Sequence, residues 1–384
     1  MTTNKHSILM ITEAFYPNIG GLETHLGGVC EYLGEKGHKV CVVTYQPLTT
    51  RVRGPKFEET GNVKIHRVQW FGVNWRHKLE RFFPLLFLYL FPGLFFKCLS
   101  LLFKHRREID IIDAQGLIPA FIAHILTKLF RKRSVVSIHA IFGFENRRIL
   151  SALVKWVLSS FDVILPFANK TGDELLALGL PAEKMTLFVS WVDLDIFKPV
   201  PKEQSKKELG LEGKFVVLFI GRLIEKKGAQ VLLDASLKLN SDVTFVFVGD
   251  GPMTNTVKER AETQPNIVFP GKVANRETPQ FYNAADLFAF PSQYAEQFGV
   301  VVLESLACGT PIIAANRGGI PEVMDSTVGV FIEPTAENFA RTIEYYYQNP
   351  VKLAKLAANC RPYAEARYSQ DNMSAIETAY DNGQ

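Results

Sequence analysis

Short apolar runs of four to six residues alternate with helical patterns through both halves of this chain. Runs of that length are typical of strands, and the segments between them are long enough for helices. Strands joined through helices run parallel, and helices on both faces of a sheet leave its strands almost wholly apolar. The sequence therefore predicts an α/β protein. The predicted strands cover residues 7–12, 39–44, 63–68, 109–112, 134–138, 162–166, 215–220, 243–248, 266–269, 287–290 and 312–315.

The length of 384 residues is more than one hydrophobic core ordinarily serves and suits two domains. Residues 192–206 contain two prolines among many polar residues, the composition of an interdomain linker. We therefore expect two Rossmann-like domains with parallel sheets facing across a cleft, over residues 1–195 and 196–365. Helices between the strands are predicted over, for example, residues 22–36 and 228–239. Neither half has a dinucleotide-binding G-x-G-x-x-G after its first strand, which argues against an NAD enzyme.

The cysteines and histidines limit the metal and redox chemistry that the chain can support. Five scattered cysteines without a C-x-x-C pair argue against a disulfide framework or a zinc site and fit a reducing cytoplasm. All eight histidines lie at or before residue 139, so the second half has no histidine ligand for a metal. The N-terminal residues lack the uninterrupted apolar run of a signal peptide. A cytoplasmic protein is therefore expected.

The formal net charge of +4 is unevenly distributed along the chain. Residues 1–190 contain 24 Lys and Arg against 15 Asp and Glu, a net charge of +9, whereas residues 191–384 contain 19 against 24, a net charge of −5. A basic half indicates an anionic partner. No helix-turn-helix, RNA-binding or zinc-finger pattern is recognisable, so we expect no nucleic acid partner. An anionic membrane surface is favoured instead.

Residues 82–103 form an apolar stretch with fifteen uncharged residues between Arg81 and Lys97. A membrane-spanning helix needs about 20 apolar residues, and Pro84, Pro92 and Gly93 are expected to interrupt one here. Two interpretations stay open: a buried or half-buried helix of the first domain, or an element lying in a membrane surface. The second is favoured by flanking tryptophans and basic residues. These are Trp70, Trp75, Arg76, Lys78, Arg81, Lys104, Arg106 and Arg107.

Residues 295–311 place two carboxylates eight positions apart around a predicted helix start. Glu296 lies in the loop after strand 287–290, and Glu304 lies on the helix that begins near Gly299. A helix start presents free N–H groups and the positive end of its dipole, and glycine lets a ligand approach the backbone. Such a pair suits a ligand with both hydroxyls and phosphate, which describes a nucleotide sugar. Taken alone, the pair is more often a solvated loop residue and a helix-surface residue.

Four further motifs accompany this pair in order along the chain. They are the glycine loop at 17–25, FIGRLIEKKG at 219–228, the G-x-G-P turn at 248–252 and the loop at 271–273. Together with the carboxylate pair they resemble the family 4 retaining glycosyltransferases, whose signature is E-x7-E. The resemblance spans almost the whole chain. It implies the two-domain GT-B fold, with a C-terminal helix within 366–384 packing back on the first domain.

The resemblance implies a role for each motif in the second half. Arg222 and Lys227 match the cations that bind the diphosphate and stabilise it as it leaves. Glu296 and the backbone amides after it are expected to position the sugar, and Glu304 to hold ribose hydroxyls. The predicted catalytic residues are His139, Arg222, Lys227 and Glu296; the predicted substrate-binding residues are Gly20, Gly21, Gly251, Val273, Phe298, Gly299, Val300 and Glu304.

In the first half, Gly20 and Gly21 lie between the first strand and the first helix. They are expected to contact the donor phosphate, although an ordinary tight turn is the alternative. His139 ends a strand at the carboxyl edge of the sheet, where open α/β proteins bind ligands. The resemblance makes it a sugar-contacting residue; the alternative is a structural histidine. Two segments depart from many relatives, which have a His-rich turn in place of residues 113–116 and Asn-Gly in place of residues 190–191.

The resemblance implies a retaining transferase that moves a hexosyl unit from a nucleotide-diphosphate sugar to an acceptor on the first domain. Two protein cations can offset the diphosphate charge, so we expect neither a metal nor another cofactor. Residues 193–195 match the metal-binding D-x-D of a different glycosyltransferase fold, and we interpret them as a linker turn. Residues 139–144 resemble family members that act on lipids, which favours a lipid or lipid-linked acceptor. A soluble acceptor, an epimerase of the same fold and a non-catalytic binding subunit are the alternatives.

Overall fold

The computed structural model describes residues 4–18, 20–48, 52–72, 75–79, 82–139, 148–239, 242–296 and 298–381. The chain divides into two compact units. The first unit comprises Met1–Val189 and Met373–Gln384, and the second comprises Ser190–Asn372. The boundaries expected from the sequence, at 195/196 and 365/366, lie a few residues from these.

The first unit is built on a seven-stranded sheet in the order β3-β4-β2-β1-β5-β6-β7. Neighbouring strands are parallel except for β3, which pairs antiparallel with β4 at one edge. The strands are β1 (Ser7–Thr12), β2 (Lys39–Tyr45), β3 (Phe57–Thr60), β4 (Val63–Val68), β5 (Ile111–Gln115), β6 (Arg133–Ile138) and β7 (Val163–Pro166). The helices are α1 (Gly21–Glu35), α2 (Trp75–Leu79), α3 (Phe83–His105), α4 (Leu117–Phe130), α5 (Arg148–Leu158) and α6 (Asn169–Ala177).

The central strands of this sheet are buried on both faces. Every residue of β5 is buried, and β1 is buried from Ile8 to Thr12. Helices cover both sides of a parallel sheet, which is why these strands are nearly continuous apolar runs. The edge strand β3 is instead mostly exposed, carries the polar sequence FEET and was not predicted.

Helix α3 runs without a break through Pro92, so the expectation that prolines and Gly93 would interrupt it is wrong. Pro84 lies in the first turn, where its missing N–H is not needed. Near Pro92, the hydroxyl of Tyr45 donates to the carbonyl of Leu90 and accepts from the amide of Leu94. These two groups would ordinarily bond each other, so Tyr45 satisfies both where the helix is perturbed.

By length and composition alone, residues Pro84–His105 could cross a membrane. One side of α3 packs into the core of the first unit through Leu90, Leu94 and Cys98. The other side exposes apolar side chains at helical spacing, which form a single stripe. We call this stripe the apolar face of α3; its residues are Leu85, Leu88, Phe96 and Phe103. The helix is therefore half-buried.

The C-terminal helix, Ser374–Asp381, belongs to the first unit. Its Glu377 accepts a hydrogen bond of 2.7 Å from the hydroxyl of Tyr32 and lies 3.2 Å from Nε2 of His38. At its end, Asp381 lies 2.7 Å from Nε2 of His6. These three polar contacts, one buried and two partly buried, attach the helix to residues near the start of the chain.

The second unit contains a six-stranded parallel sheet in the order β10-β9-β8-β11-β12-β13. The strands are β8 (Phe215–Ile220), β9 (Val243–Val248), β10 (Ile267–Gly271), β11 (Leu287–Phe290), β12 (Ile312–Ala315) and β13 (Gly329–Ile332). The helices are α7 (Lys202–Glu208), α8 (Ala229–Ser236), α9 (Thr254–Thr263), α10 (Pro279–Ala284), α11 (Val300–Ala307), α12 (Ile320–Val323), α13 (Ala336–Gln348) and α14 (Pro350–Arg367). Each unit therefore has the predicted α/β architecture.

The strand order of the second sheet reverses between β8 and β11. From β8 the chain moves outward to β9 and β10, then returns to β11 on the other side of β8. Open α/β sheets bind ligands at the carboxyl ends of the strands where this reversal occurs. The loops that follow β8 and β11 meet there, and they carry Arg222, Lys227 and Glu296.

Candidate active site

The loops after β8 and β11 are in direct backbone contact. The amide of Gln293 donates to the carbonyl of Lys226 over 2.8 Å. Gly228 allows this approach, since a Cβ there would lie 2.1 Å from the carbonyl oxygen of Pro291 and the residue has a φ of +80°. The contact brings Lys227 beside the segment that contains Glu296.

Lys227 and Glu296 form an ion pair in which the ammonium donates to Oε1 of the carboxylate. Glu296 is only 7% exposed and also accepts a hydrogen bond of 3.1 Å from the hydroxyl of Ser292. The Lys227 ammonium lies 5.8 Å from the ring centre of Phe290 and 5.3 Å from that of Tyr294. A carboxylate and two aromatic faces thus fix the position of a partly exposed cation.

The backbone of the Glu296 loop is held from the opposite side by residues before α12. The amide of Gly319 donates to the carbonyl of Glu296 over 2.7 Å. A Cβ at Gly318 would lie 2.1 Å from that same oxygen, so only glycine permits the contact. Residue 297 lies outside the described residues, and the half-buried Phe298 packs edge-on to Tyr368 at 6.0 Å.

Helix α11 begins at Val300, directly after Gly299, as the sequence predicts. Gly299 has a φ of 63°, in the left-handed region, and occupies the N-cap position without a capping side chain. The amide of Val302 donates to the carbonyl of Gly299 over 2.7 Å, but the amides of Val300 and Val301 have no backbone acceptor among the described residues and can bind an anionic ligand. They follow Glu296 by four and five residues.

Glu304 lies on α11 and is 4% exposed. Its Oε1 accepts a hydrogen bond of 3.0 Å from the amide of Asn275, and its Oε2 accepts one of 2.7 Å from the hydroxyl of Tyr282. Burial raises the pKa of Glu304 to about 7, against the effect of these two hydrogen bonds. Each carboxylate oxygen has two acceptor positions, so capacity remains for a ligand hydroxyl. Val273 precedes Asn275 by two residues, which places the loop at 271–273 close to Glu304.

The turn that contains Gly251 is tied to the segment that contains Arg222. The amide of Leu223 donates to the carbonyl of Asp250 over 3.0 Å, and the amide of Met253 donates to the carbonyl of Leu223 over 3.0 Å. Arg222 itself is exposed. The second unit therefore collects the predicted residues from four loops and the start of one helix.

The first unit collects the remaining predicted residues at the carboxyl edge of its sheet. Gly20 is the N-cap of α1 and Gly21 its first residue. One turn later, the ring of His25 lies 6.1 Å from the ring of His139, which follows β6. His139 is in turn 2.7 Å from Gln115, measured from Nε2 to Oε1.

Both histidines are held in the neutral form by their surroundings. Burial lowers the pKa of His25 to about 3. Burial, with a smaller contribution from His25, lowers the pKa of His139 well below its ordinary value. Removing a cation from water disfavours its charged form, and the ring of Phe167 lies against both imidazoles.

His25 is a candidate that the sequence prediction missed. It is 7% exposed, and its Nδ1 has no hydrogen-bond partner among the described residues. Its spacing could have indicated it. His25 lies four residues after Gly21 on the same helix, and therefore on the same helix face as the glycine loop. The sequence resemblance to family members that act on lipids covers residues 139–144, and residues 140–144 lie outside the described residues.

The D-x-D at residues 193–195 forms a turn. Oδ1 of Asp193 accepts hydrogen bonds of 3.0 Å from the backbone amides of Asp195 and Ile196. The carboxylate therefore stabilises the turn that contains it. Within the described ranges, no group of three or more His, Cys, Asp or Glu side chains is arranged to hold a metal ion.

Comparison with known proteins places both units in one family. The model described as Glycosyltransferase Family 4 matches residues 19–196, and that described as Glycosyl transferases group 1 matches residues 201–367. Spore coat protein SA of Bacillus subtilis is 30% identical over 258 residues, which cover 61% of this chain and 68% of that protein. The chain belongs to the family 4 glycosyltransferases. It is accordingly an enzyme of the glycosyltransferase class.

Other members of the family extend the similarity across most of the chain. The phosphatidylinositol N-acetylglucosaminyltransferase GPI3 subunit of Saccharomyces cerevisiae (strain YJM789) is 27% identical over 342 residues, covering 86% of this chain and 72% of that protein. The crystal structure of Anabaena Alr3699/HepE in complex with UDP is 22% identical, with a TM-score of 0.77 over 98% of this chain and 100% of that one. The predicted GT-B fold and glycosyltransferase class are confirmed.

Proposed function

We propose that this family 4 glycosyltransferase moves a hexosyl unit from a nucleotide-diphosphate sugar to an acceptor with retention of configuration at the anomeric carbon. The observation that carries the proposal is the pairing of Lys227 with Glu296 beside the start of α11. This arrangement combines a fixed cation and a buried carboxylate with the amides at the start of a helix. A departing diphosphate and a sugar with several hydroxyls together need these three kinds of group.

The diphosphate is assigned to Lys227 and Arg222. As the bond to the sugar breaks, negative charge grows on the departing phosphate oxygen, and a preplaced ammonium stabilises that charge without reorganisation. Arg222 adds a guanidinium that binds phosphate oxygens in a fork. The pairing with Glu296 keeps the ammonium in place before the donor arrives. Two protein cations also make a divalent metal unnecessary, so activity should survive EDTA and should not rise on adding manganese.

The sugar is assigned to Glu296 and to the amides of Phe298, Gly299 and Val300, because a carboxylate accepts from sugar hydroxyls. In the first unit, His139 is assigned a contact with the sugar, and Gly20 and Gly21 a contact with phosphate, as the family resemblance implies. No enzyme base is assigned. The departing phosphate oxygen takes the proton of the acceptor hydroxyl while an oxocarbenium-like centre forms.

The nucleoside is assigned to Glu304 and Val273. Glu304 is held by Asn275 and Tyr282 and retains acceptor capacity for ribose hydroxyls. Gly251 lies in the neighbouring turn and lets the backbone approach the donor closely. Uridine is the favoured base, since the related fold of HepE has been solved with UDP and with UDP-glucose.

A thermal-shift panel tests the donor. UDP-, GDP- and ADP-sugars are each added to the purified protein, and a ligand well above its dissociation constant should raise the unfolding temperature. We expect a UDP-sugar to stabilise the protein and Glu304→Gln to remove most of that shift. Glu262, on the exposed side of α9, supplies the matched control Glu262→Gln. Absence of stabilisation by every nucleotide sugar would reject the proposal.

The acceptor is assigned to the lipid or lipid-linked class, at the cytoplasmic face of a membrane. Three observations support this. The first half of the chain carries a net charge of +9, the apolar face of α3 is exposed, and the GPI3 relative is named for phosphatidylinositol. Exposed basic residues follow the apolar face directly, at Lys104, Arg106 and Arg107. Apolar side chains flanked by cations are the composition of a surface that docks on anionic lipid.

Transfer to a defined acceptor tests this part of the proposal. A radiolabelled donor sugar, chosen from the thermal-shift panel, is incubated with anionic phospholipid vesicles that contain phosphatidylinositol, or with soluble monosaccharides. Label that moves into the lipid phase supports a lipid acceptor. Label that moves only to soluble sugars would replace it with the soluble alternative.

A further inference from the structure

Four side chains from distant parts of the chain form a hydrogen-bonded series in the first unit. The hydroxyl of Tyr380 donates to Oδ2 of Asp113 over 2.7 Å. Oδ1 of Asp113 accepts from the amide nitrogen of Gln115 over 2.8 Å. Oε1 of Gln115 then lies 2.7 Å from Nε2 of His139. Tyr380 comes from the C-terminal helix, Asp113 and Gln115 from one face of β5, and His139 from the end of β6.

Three of its four members are shielded from water, and His139 is half-buried. Asp113 is 2% exposed, Gln115 is 5% exposed and Tyr380 is fully buried. Hydrogen bonds in such surroundings cost more to break than those at a surface, because an orphaned partner cannot turn to solvent. The orientation of each group is therefore strongly determined by its neighbours.

The direction of each hydrogen bond follows from the few choices open to its members. The side-chain nitrogen of Gln115 donates to Asp113, so its side-chain oxygen faces His139. An amide oxygen can only accept a hydrogen bond. Nε2 of His139 must then carry a proton. Burial lowers the pKa of His139 well below its ordinary value, so the ring carries only one proton. Nδ1 of His139 is thus left as a bare acceptor.

The ionisation of Asp113 does not reverse this series. Burial raises the pKa of Asp113 to about 7, while the hydrogen bonds from Tyr380 and Gln115 act in the opposite direction. If Asp113 takes up a proton, the oxygen of Tyr380 can accept it, and Oδ1 still accepts from Gln115. The orientation of Gln115 is the same in both states.

We propose that Gln115, anchored by Asp113, is a positioning residue that fixes the Nε2–H tautomer of His139 and leaves Nδ1 to accept a hydroxyl of the transferred sugar. The inference rests on the proposed sugar contact of His139. It also limits the role of His139 in the reaction. The single proton of the neutral ring is donated in a hydrogen bond to Gln115. His139 therefore orients the sugar and does not supply a proton to the departing diphosphate.

The tautomer can be measured without any substrate. Long-range proton–nitrogen NMR spectra of protein labelled with nitrogen-15 at histidine distinguish Nε2–H from Nδ1–H, and a His139→Gln sample assigns the signals. We expect wild-type His139 to show the Nε2–H pattern. Gln115→Met removes the acceptor at similar volume and should give a mixture of tautomers. Gln115→Glu places a carboxylate beside the ring and should raise the pH at which His139 takes up its second proton.

Gln46→Met is the matched control. Gln46 is a buried glutamine of the same unit, and its amide group bonds the backbone of Gly54 at both ends. This variant should lose stability but keep the wild-type signals of His139. An Nδ1–H pattern in the wild type, or His139 signals that neither substitution of Gln115 changes, would overturn the proposal.

Donor turnover tests the consequence for the reaction. Misplacing a group that orients the sugar should lower kcat of Gln115→Met on the order of tenfold to a hundredfold, while KM for the donor stays within about twofold. The KM should hold because Gln115 bonds Asp113 and His139 and none of the groups assigned to the diphosphate or the nucleoside. A changed tautomer with unchanged kcat would remove the sugar contact from His139. Failure of every nucleotide sugar to bind would instead reject the proposed function and leave the tautomer assignment standing.

Discussion

Lys227 and Glu296 are 69 positions apart in sequence, and their side chains share a hydrogen bond at the carboxyl edge of the second sheet. The carboxylate is almost wholly buried, whereas the ammonium remains partly exposed. In the absence of ligand each compensates the charge of the other. An arriving diphosphate competes with Glu296 for the ammonium, and the freed carboxylate can then accept from a sugar hydroxyl.

Replacement of Lys227 by Ala should lower kcat/KM for the donor by two orders of magnitude or more. Removing a preplaced donor from developing charge costs about 3 kcal/mol of transition-state stabilisation, and the change also leaves Glu296 without its counter-ion. Steady-state transfer or donor hydrolysis measures the loss, with circular dichroism as the check on folding. The neighbouring exposed Lys226 provides the control, and Lys226→Ala should retain normal turnover. Near-normal turnover of a folded Lys227→Ala protein would refute the diphosphate assignment.

Replacement of Glu304 by Gln should weaken donor binding more than it slows the chemical step. Glutamine retains a single acceptor oxygen where the carboxylate has two, so Asn275, Tyr282 and the ribose would compete for it. A hydrogen bond to a charged group is worth about 1.5–3 kcal/mol, so the dissociation constant for UDP should rise on the order of tenfold to a hundredfold. Isothermal titration calorimetry provides the measurement. An unchanged dissociation constant would exclude the ribose role.

Membrane docking should depend on both the charge of the lipid and the apolar face of α3. Each Lys or Arg near an anionic surface contributes about 1 kcal/mol, and this attraction is screened beyond a Debye length of about 8 Å at physiological salt. Vesicle sedimentation should therefore show binding to anionic vesicles that high salt reverses. Leu88→Ser and Phe96→Ser should weaken it, whereas Leu237→Ser, at an exposed position of the second unit, should not. Binding that ignores lipid charge and salt would contradict the docking account.

Asp113 should make the first unit less stable as pH rises. Its pKa is about 7 in the folded protein against an ordinary value of 3.8, so the folded state holds the proton more tightly than the unfolded state. The resulting stability is present below pH 3.8 and is lost as pH rises through about 7. In urea unfolding between pH 5 and pH 8, Asp113→Asn should flatten this decline. An identical pH profile in the variant would argue against a raised pKa.

Replacement of Glu377 by Ala should destabilise the first unit by about 1–3 kcal/mol, because one buried and one half-buried partner lose their bond to the carboxylate. Those partners are Tyr32 and His38. The exposed Glu365, which bonds Arg361 within one helix, gives the control Glu365→Ala with a much smaller expected effect. Urea unfolding monitors both variants, and a loss in Glu377→Ala no larger than that in Glu365→Ala would show that the contacts of Glu377 contribute little to stability.

The sequence predicts strands wherever burial on both faces makes them apolar. It misses β3 because FEET is exposed and pairs antiparallel at an edge, where no burial pattern is imposed. It misses β13 because this edge strand, GVFI, begins with glycine and fully buries only its first residue. The interruption expected in α3 failed for a different reason. The hydroxyl of Tyr45 bonds the backbone of α3 near Pro92. Because Tyr45 lies about fifty positions away in sequence, no local pattern indicates this contact.

In the candidate site, too, local patterns could be predicted from the sequence and contacts between distant residues could not. The E-x7-E pair, its glycine and the two cations have fixed spacing, so the residues could be named from the sequence. Their partners could not, because Asn275 and Tyr282 reach Glu304 only through the fold. A wider gap, of 267 positions, separates Asp113 from its partner Tyr380. No periodicity connects residues that meet through a sheet and a returning helix.

The C-terminal helix has a consequence for the order in which the protein forms. Translation delivers His6 and His38 before the second unit, but Glu377 and Asp381 leave the ribosome only after the whole of it. The second unit is continuous in sequence and can fold while synthesis proceeds. The first unit must keep the partners of this helix uncovered until then, so a ribosome that stalls within the second unit leaves the earlier-made unit as the unfinished one.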